Sequence, residues 1–435
     1  MVYPGKRTMK AARLHGFKDI FHPETEKLRL VESKTKEVFE RFGFSEIIIP
    51  ILELSGVYST GLGDTTDIVQ KEMYTFETKG GEWVSMRPEG TAGVVRAFIE
   101  HSLYRKSPVT KLYYSGEMFR HEKPQEGRQR SFNQIGAELF GSKDPLADSE
   151  IIAMLWLAVT ELGLSDHVEL ELNSIGKPTE RERYKKALTD FLSPKKDSLC
   201  ENCQNRLGTN PLRILDCKTG TCREVTSEIP FSIRDYLSKQ SSEHLDALSA
   251  SLGEKSIPYR LNPRIVRGLD YYTDTVFEVT TDKLGSQNAV AAGGRYDLLV
   301  ERMGGPETPA VGFAMGVERI LLLLDKIGTR RNSPGKKQLV CIIHIGDEAR
   351  GEAARIADSL RKKGMRVETE YENKSLKSQM RKANRTGAAY SVIIGDDELR
   401  KKVFSLRNMR TGEEKAFPLE KLADLGGHND FRKLL

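Results

Sequence analysis

Residues 111–140 constrain the fold of this chain more than any other segment, because they contain two strand-like stretches around a short polar loop. The loop includes Pro124 and Gly127, so the pattern predicts a long β-hairpin. A hairpin joins antiparallel strands, whereas parallel strands need a long crossover connection. We therefore expect an α+β fold built on an antiparallel sheet, with helices over Glu24–Phe42 and Asp148–Leu164.

The two arms of this hairpin each carry a set of side chains on one face, because neighbouring residues of a strand point to opposite faces. The sets are Tyr114, Gly116, Met118 and Arg120 on the first arm, and Phe132, Gln134, Gly136 and Glu138 on the second. If both faces line one cavity, an arginine, an amide and a carboxylate converge, which suits a ligand with phosphate and amino-acid groups. A solvent-facing hairpin whose charges only aid solubility is the alternative.

Three glycine-containing segments follow later in the chain. Residues 264–280 place Arg267 before a glycine and a tyrosine pair, and residues 291–299 contain a double glycine that allows close approach of backbone to a ligand. Residues 309–324 lead from a strand into an apolar helix with Arg319 near its start, where an arginine can contact phosphate. Each pattern alone is common in proteins of other functions.

The chain divides at residues 325–337, where apolar periodicity is lost and Gly, Pro, Ser and charged residues accumulate as in a linker. Residues 338–435 then show a strand-helix-strand-helix-strand order, which predicts a small, mostly parallel α/β domain. Residues 1–330 form the larger domain. Within it, residues 173–258 are polar and helix-prone, which indicates an inserted helical segment.

Charge is unevenly distributed along the chain. Residues 335–435 hold 22 Lys and Arg against 15 Asp and Glu, a net charge of +7, while the remaining residues sum to −1. A basic module on a near-neutral body suggests a polyanionic partner such as nucleic acid, although an ordinary lysine-rich surface gives the same balance.

The sequence favours a cytoplasmic protein without a membrane span. Its longest apolar run, residues 151–159, has nine residues, well short of the roughly 20 that cross a bilayer. The start of the chain lacks the apolar segment of a secretory signal, and the five cysteines, an odd number, argue against a disulfide framework.

Taken in order, these segments resemble the class II aminoacyl-tRNA synthetases and, within them, the histidyl-tRNA synthetase family. Residues 42–53 resemble motif 1 of the class, GEMFRHEKPQEGRQRSFNQ resembles motif 2, and VGFAMGVERILLL resembles motif 3. The histidine-specific signatures resemble MRPEGT, RGLDYY and AAGGRYDLL in this chain. The resemblance implies an antiparallel-sheet catalytic domain with a helical insertion, followed by an anticodon-binding domain.

The resemblance also implies roles for single residues. Arg120 and Arg267 would be catalytic and would flank the α-phosphate of ATP. The remaining ATP-binding residues would be Glu122, Arg128, Phe132 and Arg319. Histidine would be bound by Arg120 and Arg267 together with Glu89, Thr91, Gln134, Glu138, Tyr271 and Tyr272.

The implied activity is the ATP-dependent attachment of L-histidine to tRNA(His) through a histidyl-adenylate, with Mg²⁺ accompanying ATP. Motif 1, through Pro50, implies a homodimer. The alternative is a non-catalytic histidyl-synthetase-like regulatory subunit of ATP phosphoribosyltransferase. Such subunits lack the C-terminal module and the binding arginines, whereas Arg120, Arg267 and Arg319 are present here.

Four cysteines cluster in the predicted insertion. Cys200 and Cys203 have the CxxC spacing of zinc ligands, and Cys217 and Cys222 follow. Because four residues separate the second pair, we favour free or packed thiols over a structural zinc ion and assign no metal ligands.

Overall fold

The computed structural model describes residues 11–63, 66, 68–266, 271–285, 288–328, 338–424, 431 and 434. The chain forms two compact units, Met1–Arg330 and Arg331–Leu435. Within the described residues, no helix combines the length and the apolar character that a bilayer span requires.

A mixed, mainly antiparallel sheet organises the first unit. Its strands and those of a smaller sheet are β1 (Ser45–Glu46), β2 (Leu52–Leu54), β3 (Thr75–Glu77), β4 (Trp83–Met86), β5 (Thr110–Phe119), β6 (Ser131–Phe140), β7 (Glu169–Ser174), β8 (Arg260–Leu261), β9 (Thr273–Thr280), β10 (Ala289–Arg295) and β11 (Ala310–Gly316). Among the described residues, eight strands form the large sheet in the order β1-β5-β6-β11-β10-β9-β7-β8. Only the edge pairs β1-β5 and β7-β8 are parallel in this sheet, so the expected antiparallel fold is confirmed.

Helices surround this sheet. They are α1 (Glu24–Arg41), α2 (Ser55–Leu62), α3 (Thr91–Glu100), α4 (Pro145–Glu161), α5 (Pro178–Leu192), α6 (Glu201–Thr209), α7 (Gly220–Ser227), α8 (Lys239–Glu254), α9 (Leu299–Arg302) and α10 (Val317–Lys326). Helix α4 begins at Pro145, where Asp144 caps it by accepting a hydrogen bond from the backbone N–H of Leu146 at 2.8 Å.

The two faces of the large sheet bury different cores, as strand alternation requires. Helices α1, α4, α8 and α10 cover one face, where Phe39, Leu155 and Ile320 share a core with Ile135 of β6. Tyr113 of β5 belongs to this core, whereas its neighbour Tyr114 belongs to a second core on the opposite face. The second face is therefore the one that carries Arg120, Gln134 and Glu138.

The segment predicted as a helical insertion is joined to the main body at both of its ends. Residues 173–174 are the end of β7, and helix α8 packs back against α4 through Leu245 and Leu248. Between them, α5, α6 and α7 surround two small apolar cores of their own. The apolar face of α8 explains its contact with α4, because a helix with apolar leucines on one face buries them against the main core.

The second unit contains β12 (Leu339–Ile345), α11 (Asp347–Lys362), β13 (Arg366–Thr369), α12 (Leu376–Arg385), β14 (Tyr390–Gly395), α13 (Asp396–Arg400), β15 (Val403–Asn408), β16 (Glu414–Pro418) and α14 (Lys421–Asp424). The strand order among the described residues is β13-β12-β14-β15-β16. Strands β12, β13 and β14 are parallel, as expected, but the sheet continues through β15 and β16 as an antiparallel pair. The predicted linker overlaps α10, which continues to Lys326, and residues 329–337 lie outside the described residues.

Candidate active site

The hairpin of β5 and β6 brings the two predicted sets of side chains onto one face. In its register, Tyr114 lies opposite Gly136, Gly116 opposite Gln134, and Met118 opposite Phe132. Directly opposed residues of an antiparallel pair share a face, so the first arm's Arg120 and the second arm's Glu138 approach the same space.

That space is a cleft of about 560 Å³ in the first unit. Every described member of the predicted site set lines it: Glu89, Thr91, Arg120, Glu122, Arg128, Phe132, Gln134, Glu138, Tyr271, Tyr272 and Arg319. Arg267 lies outside the described residues, while Val266 and Tyr271 on either side of the undescribed segment both line the cleft. Residues from widely separated segments therefore meet in one cavity.

One part of the cleft concentrates positive charge. Burial, followed by the positive charge of Arg128, lowers the pKa of the Arg319 guanidinium below its ordinary value; Glu122 opposes this shift and Arg120 adds to it. Even so lowered, an arginine stays protonated in a protein. Three guanidinium groups held together in this way favour an anion with several charges, such as a triphosphate.

Backbone carbonyls hold Arg319 in place. Its guanidinium donates hydrogen bonds to the carbonyl oxygens of Gly127 at 3.3 Å and Ala289 at 2.7 Å. The neighbouring Glu318 accepts hydrogen bonds from the backbone and side-chain nitrogens of Asn133, both at 2.9 Å. Helix α10 is thereby fixed to β6 at its first turn, which orients Arg319 toward the cleft.

Arg120, which directly follows β5, is also held in place by its neighbours. Its Nε donates to the carbonyl oxygen of Pro88 at 2.8 Å, and its guanidinium carbon lies 5.3 Å from the centre of the Phe132 ring. A terminal nitrogen lies 3.7 Å from Glu122, which also forms an ion pair with Arg128 at 2.6 Å. The Phe132 ring in the cleft offers an aromatic surface beside the cations.

A polar pocket lies beside the cationic part. Glu138 is fully buried and accepts hydrogen bonds from Thr91 Oγ1 at 2.7 Å and the Tyr296 hydroxyl at 2.5 Å. Burial raises the pKa of Glu138 to about 8; the two hydrogen bonds oppose this rise, and nearby Glu89 adds to it. This carboxyl group can therefore hold or release a proton near neutral pH.

Glu89 and Gln134 complete the polar pocket. Glu89 accepts backbone hydrogen bonds from Thr91 at 2.7 Å and Ala92 at 2.8 Å at the start of α3, and burial raises its pKa. Oε1 of Gln134 is buried without a hydrogen-bond partner within the described chain. A buried polar atom of this kind is costly unless a ligand satisfies it, which indicates that the pocket binds a polar molecule.

Glycines make room for this arrangement. A Cβ atom on Gly312 would lie 1.7 Å from Oε2 of Glu138, and one on Gly136 would lie 2.4 Å from the Tyr114 hydroxyl. A Cβ atom on Gly294, one of the two glycines that the sequence suggests for ligand approach, would lie 2.9 Å from the Tyr272 ring and 2.5 Å from the carbonyl oxygen of Thr275. Neighbouring side chains and backbone are therefore sufficient to exclude a side chain at Gly294.

Sequence reasoning missed several residues of the cleft. Tyr296 lies two residues after Gly294 within the double-glycine segment, and its hydrogen bond to Glu138 depends on the register of β10, β11 and β6. Glu278 of β9 also lines the cleft, as do three residues of the insertion, Arg206, Arg213 and Asp216. Strand alternation could have suggested Glu278, but no local pattern places the insertion against the cleft. Arg295 of the same signature lies instead in a buried ion pair with Asp148.

An antiparallel sheet that carries an arginine-lined cleft, followed by an α/β unit, is the architecture of a class II aminoacyl-tRNA synthetase, and the matches to sequence models and solved structures place this chain in that class. Sequence comparison refines the assignment. A sequence model described as histidyl-tRNA synthetase matches residues 16–320, and one described as an anticodon binding domain matches residues 339–425. The chain belongs to the histidyl-tRNA synthetase family.

Individual relatives agree with this assignment. The histidine--tRNA ligase of Geobacter sulfurreducens is 48% identical over 93% of this chain and 97% of its own length. The corresponding ligase of Aquifex aeolicus is 44% identical over 95% of this chain and 100% of its own length. The crystal structure of apo S. aureus histidyl-tRNA synthetase has a TM-score of 0.77 at 33% identity, covering 95% of this chain and 99% of that one.

Proposed function

We propose that this protein attaches L-histidine to tRNA(His) at the expense of ATP, through an enzyme-bound histidyl-adenylate. The main support for the proposal is that one cleft contains both a cationic region and a polar pocket. Guanidinium groups from β6's hairpin and α10 lie beside a buried carboxyl group that can recognise a polar ring. Such a cleft suits a nucleotide and an amino acid bound next to each other.

In the first step, a carboxylate oxygen of histidine attacks the α-phosphorus of ATP, and the bond from that phosphorus to the bridging oxygen of pyrophosphate breaks. Negative charge grows on the phosphoryl oxygens and the leaving group, so catalysis depends on positioning and on fixed positive charge. Arg120 and Arg267 act on the α-phosphate in this proposal, and Arg319 holds the γ-phosphate.

The remaining nucleotide contacts in this proposal are those that the family resemblance implies. Phe132 stacks on adenine, while Glu122 and Arg128 contact adenine and phosphate. The carboxylates of Glu122 and Glu278 line the same cleft and would hold the Mg²⁺ that accompanies ATP, because this ion prefers oxygen donors. The bound ion would supply positive charge to the departing pyrophosphate.

Histidine occupies the polar pocket. Glu138 and Tyr272, with Tyr271 beside them, read the imidazole ring; Glu89, Thr91 and Gln134 bind the α-amino group. A buried carboxyl group left without its imidazole partner is costly, so a substrate lacking that ring is rejected.

In the second step, a terminal ribose hydroxyl of the tRNA attacks the carbonyl carbon of the adenylate, and AMP leaves. The C-terminal unit binds the anticodon. Its net charge of +7 over residues 335–435 supports this role, because contacts to phosphate position an RNA while contacts to bases specify it.

We also propose that the active form is a cytoplasmic homodimer. Apolar side chains are exposed around Pro50: Ile48 is 86% exposed, Ile51 46% and Leu54 55%. Exposed apolar groups that cluster in this way mark an interface. Light scattering would give the mass of a dimer, and a stable, active monomer would contradict this part of the proposal.

The regulatory-subunit alternative is not favoured. Arg120 and Arg319 line the cleft with their guanidinium groups held by backbone carbonyls, and the C-terminal unit has its own sheet. A protein without catalysis would not need this set.

Histidine-dependent ATP–pyrophosphate exchange tests the proposed function. We expect exchange with histidine and background rates with every other proteinogenic amino acid. Charging of a histidine-accepting tRNA with labelled histidine is the companion measurement. An enzyme that binds RNA but shows no histidine-dependent exchange would refute the proposal.

A further inference from the structure

The four cysteines of the insertion converge at one point. Cys200, Cys203, Cys217 and Cys222 each offer a sulfur atom, and these four atoms all lie within 4.8 Å of one another. The Sγ atoms of Cys200 and Cys217 are 3.9 Å apart, and all four residues are free cysteines, not disulfide partners. In a tetrahedral ZnS₄ centre with bonds of about 2.3 Å, neighbouring sulfurs lie about 3.8 Å apart, so the observed spacing is close to that of a closed metal site.

The local backbone supports thiolate ligands at this point. Cys200 immediately precedes α6, and its backbone N–H donates a hydrogen bond to the sulfur of Cys222 at 3.2 Å. Cys203 lies one turn into α6, and Cys222 lies in α7. Both are completely buried, whereas Cys200 and Cys217 are partly exposed, which leaves a path for an ion to enter.

The surrounding core is small for a segment that must hold its shape. Cys203 and Cys222 belong to an apolar cluster with Leu192, Leu207 and Val225, separate from the core of the large sheet. Residues 192–225 carry this small cluster, and a bound metal would add a cross-link between its elements.

We propose that these four cysteines bind one structural zinc ion. Four thiolates in a tetrahedral arrangement select zinc or an iron centre, and a closed set of four protein ligands leaves no open position for catalysis. The sequence alone favours free or packed thiols, but the convergence of the sulfurs reverses that preference. The ion would join the start of α6 to α7 and to the intervening turn.

This zinc site would also define one wall of the cleft. Arg206 of α6 lies between the first and second cysteine pairs, as does Arg213, and Asp216 directly precedes Cys217; all three line the cleft. The metal would therefore fix the segment that carries them. The zinc inference itself does not depend on the proposed function, because metal content is measured without any substrate.

Metal analysis of tag-free protein, purified from cells grown without added zinc, tests the site. We expect one zinc per chain, and its release when an organomercurial blocks the thiols. The Cys203→Ser, Cys222→Ser double variant should lose the zinc, while Cys341→Ser, a buried cysteine of β12 outside the cluster, should keep it. Cobalt exchanged into the wild-type site should give the absorption of tetrahedral thiolate coordination.

Three outcomes would overturn the proposal. They are wild-type protein with no metal and four titratable thiols in the cluster, a disulfide between any two of these cysteines, and iron in place of zinc. The metal content of the wild-type protein decides the question by itself, so the test remains valid even if the double variant does not fold.

Discussion

Glu138 and Arg319 show that ionisable groups of the cleft are held in surroundings that disfavour their charged forms. Glu138 is buried among Thr91, Tyr296 and Gly312, and burial raises its pKa to about 8. Arg319 is partly buried, and this burial, together with nearby guanidinium groups, lowers its pKa. Both groups are held in environments that oppose their charge, as binding sites often require.

Glu138 should make stability depend on pH. The folded carboxyl group keeps its proton up to about pH 8, whereas the unfolded one loses it near 4.5. The folded state thus binds more protons across this interval, so the free energy of unfolding falls as pH rises, by at most about 1.4 kcal/mol per pH unit. We expect Glu138→Gln to remove this contribution in urea unfolding at pH 5 and pH 8. An unchanged pH dependence would contradict the assignment, and Glu301→Gln, at an exposed position, is the control.

Arg267 should contribute to chemistry and not to folding. We expect Arg267→Ala to reduce histidine-dependent ATP–pyrophosphate exchange by at least a factor of about 10²–10³, the usual loss for one transition-state donor. Its circular dichroism spectrum and melting temperature should match the wild type. The control Arg264→Ala removes an exposed arginine three residues earlier and should exchange normally. Near-normal exchange by Arg267→Ala would remove this residue from the mechanism.

Secondary-structure elements were predictable where their pattern is local. The β5-β6 hairpin and helices α1 and α4 follow from alternation and from apolar periodicity within a few residues. Strands β15 and β16 show no comparable signal, because their burial depends on the neighbouring sheet. Likewise, the closeness of Tyr296 to Glu138 comes from strand register, which no short pattern encodes.

Strand β11 should tolerate no side chain at Gly312, since a Cβ there would lie 1.7 Å from Oε2 of Glu138. We expect Gly312→Ala to displace that carboxyl group, raise the KM for histidine about 10-fold or more and lower the melting temperature. Steady-state exchange at varied histidine concentration measures the first effect. Gly253→Ala, at an exposed helical position with open space around it, is the matched control. An unchanged KM in Gly312→Ala would show that Glu138 does not position histidine.

For the whole molecule, the sequence predicts the residues that line the cleft more completely than it predicts the segments that enclose the cleft. The resemblance to a known family identifies cleft residues from β5 to α10, since short motifs carry them. The wall formed by Arg206, Arg213 and Asp216 was not predicted, because it depends on how an insertion folds back over a distant site. Contacts between segments that are distant in the chain produce no periodic pattern in the sequence.

The two units should separate the two steps of the reaction. The first unit contains the entire described cleft, and the second has an apolar core of its own. We expect a chain ending at residue 330 to retain adenylate formation, measured by exchange, while charging of tRNA(His) falls by about two orders of magnitude or more. An equal loss of both activities would contradict this division, with the full-length protein as the reference.

In the proposed mechanism, guanidinium groups from distant segments surround one phosphate group beside a histidine pocket. A crystal structure with a non-hydrolysable histidyl-adenylate analogue would locate both groups. We predict that the phosphate mimic contacts Arg120 and Arg267 and that an imidazole nitrogen lies within hydrogen-bond distance of Glu138. An analogue bound elsewhere, or with its imidazole remote from Glu138, would contradict the proposed mechanism.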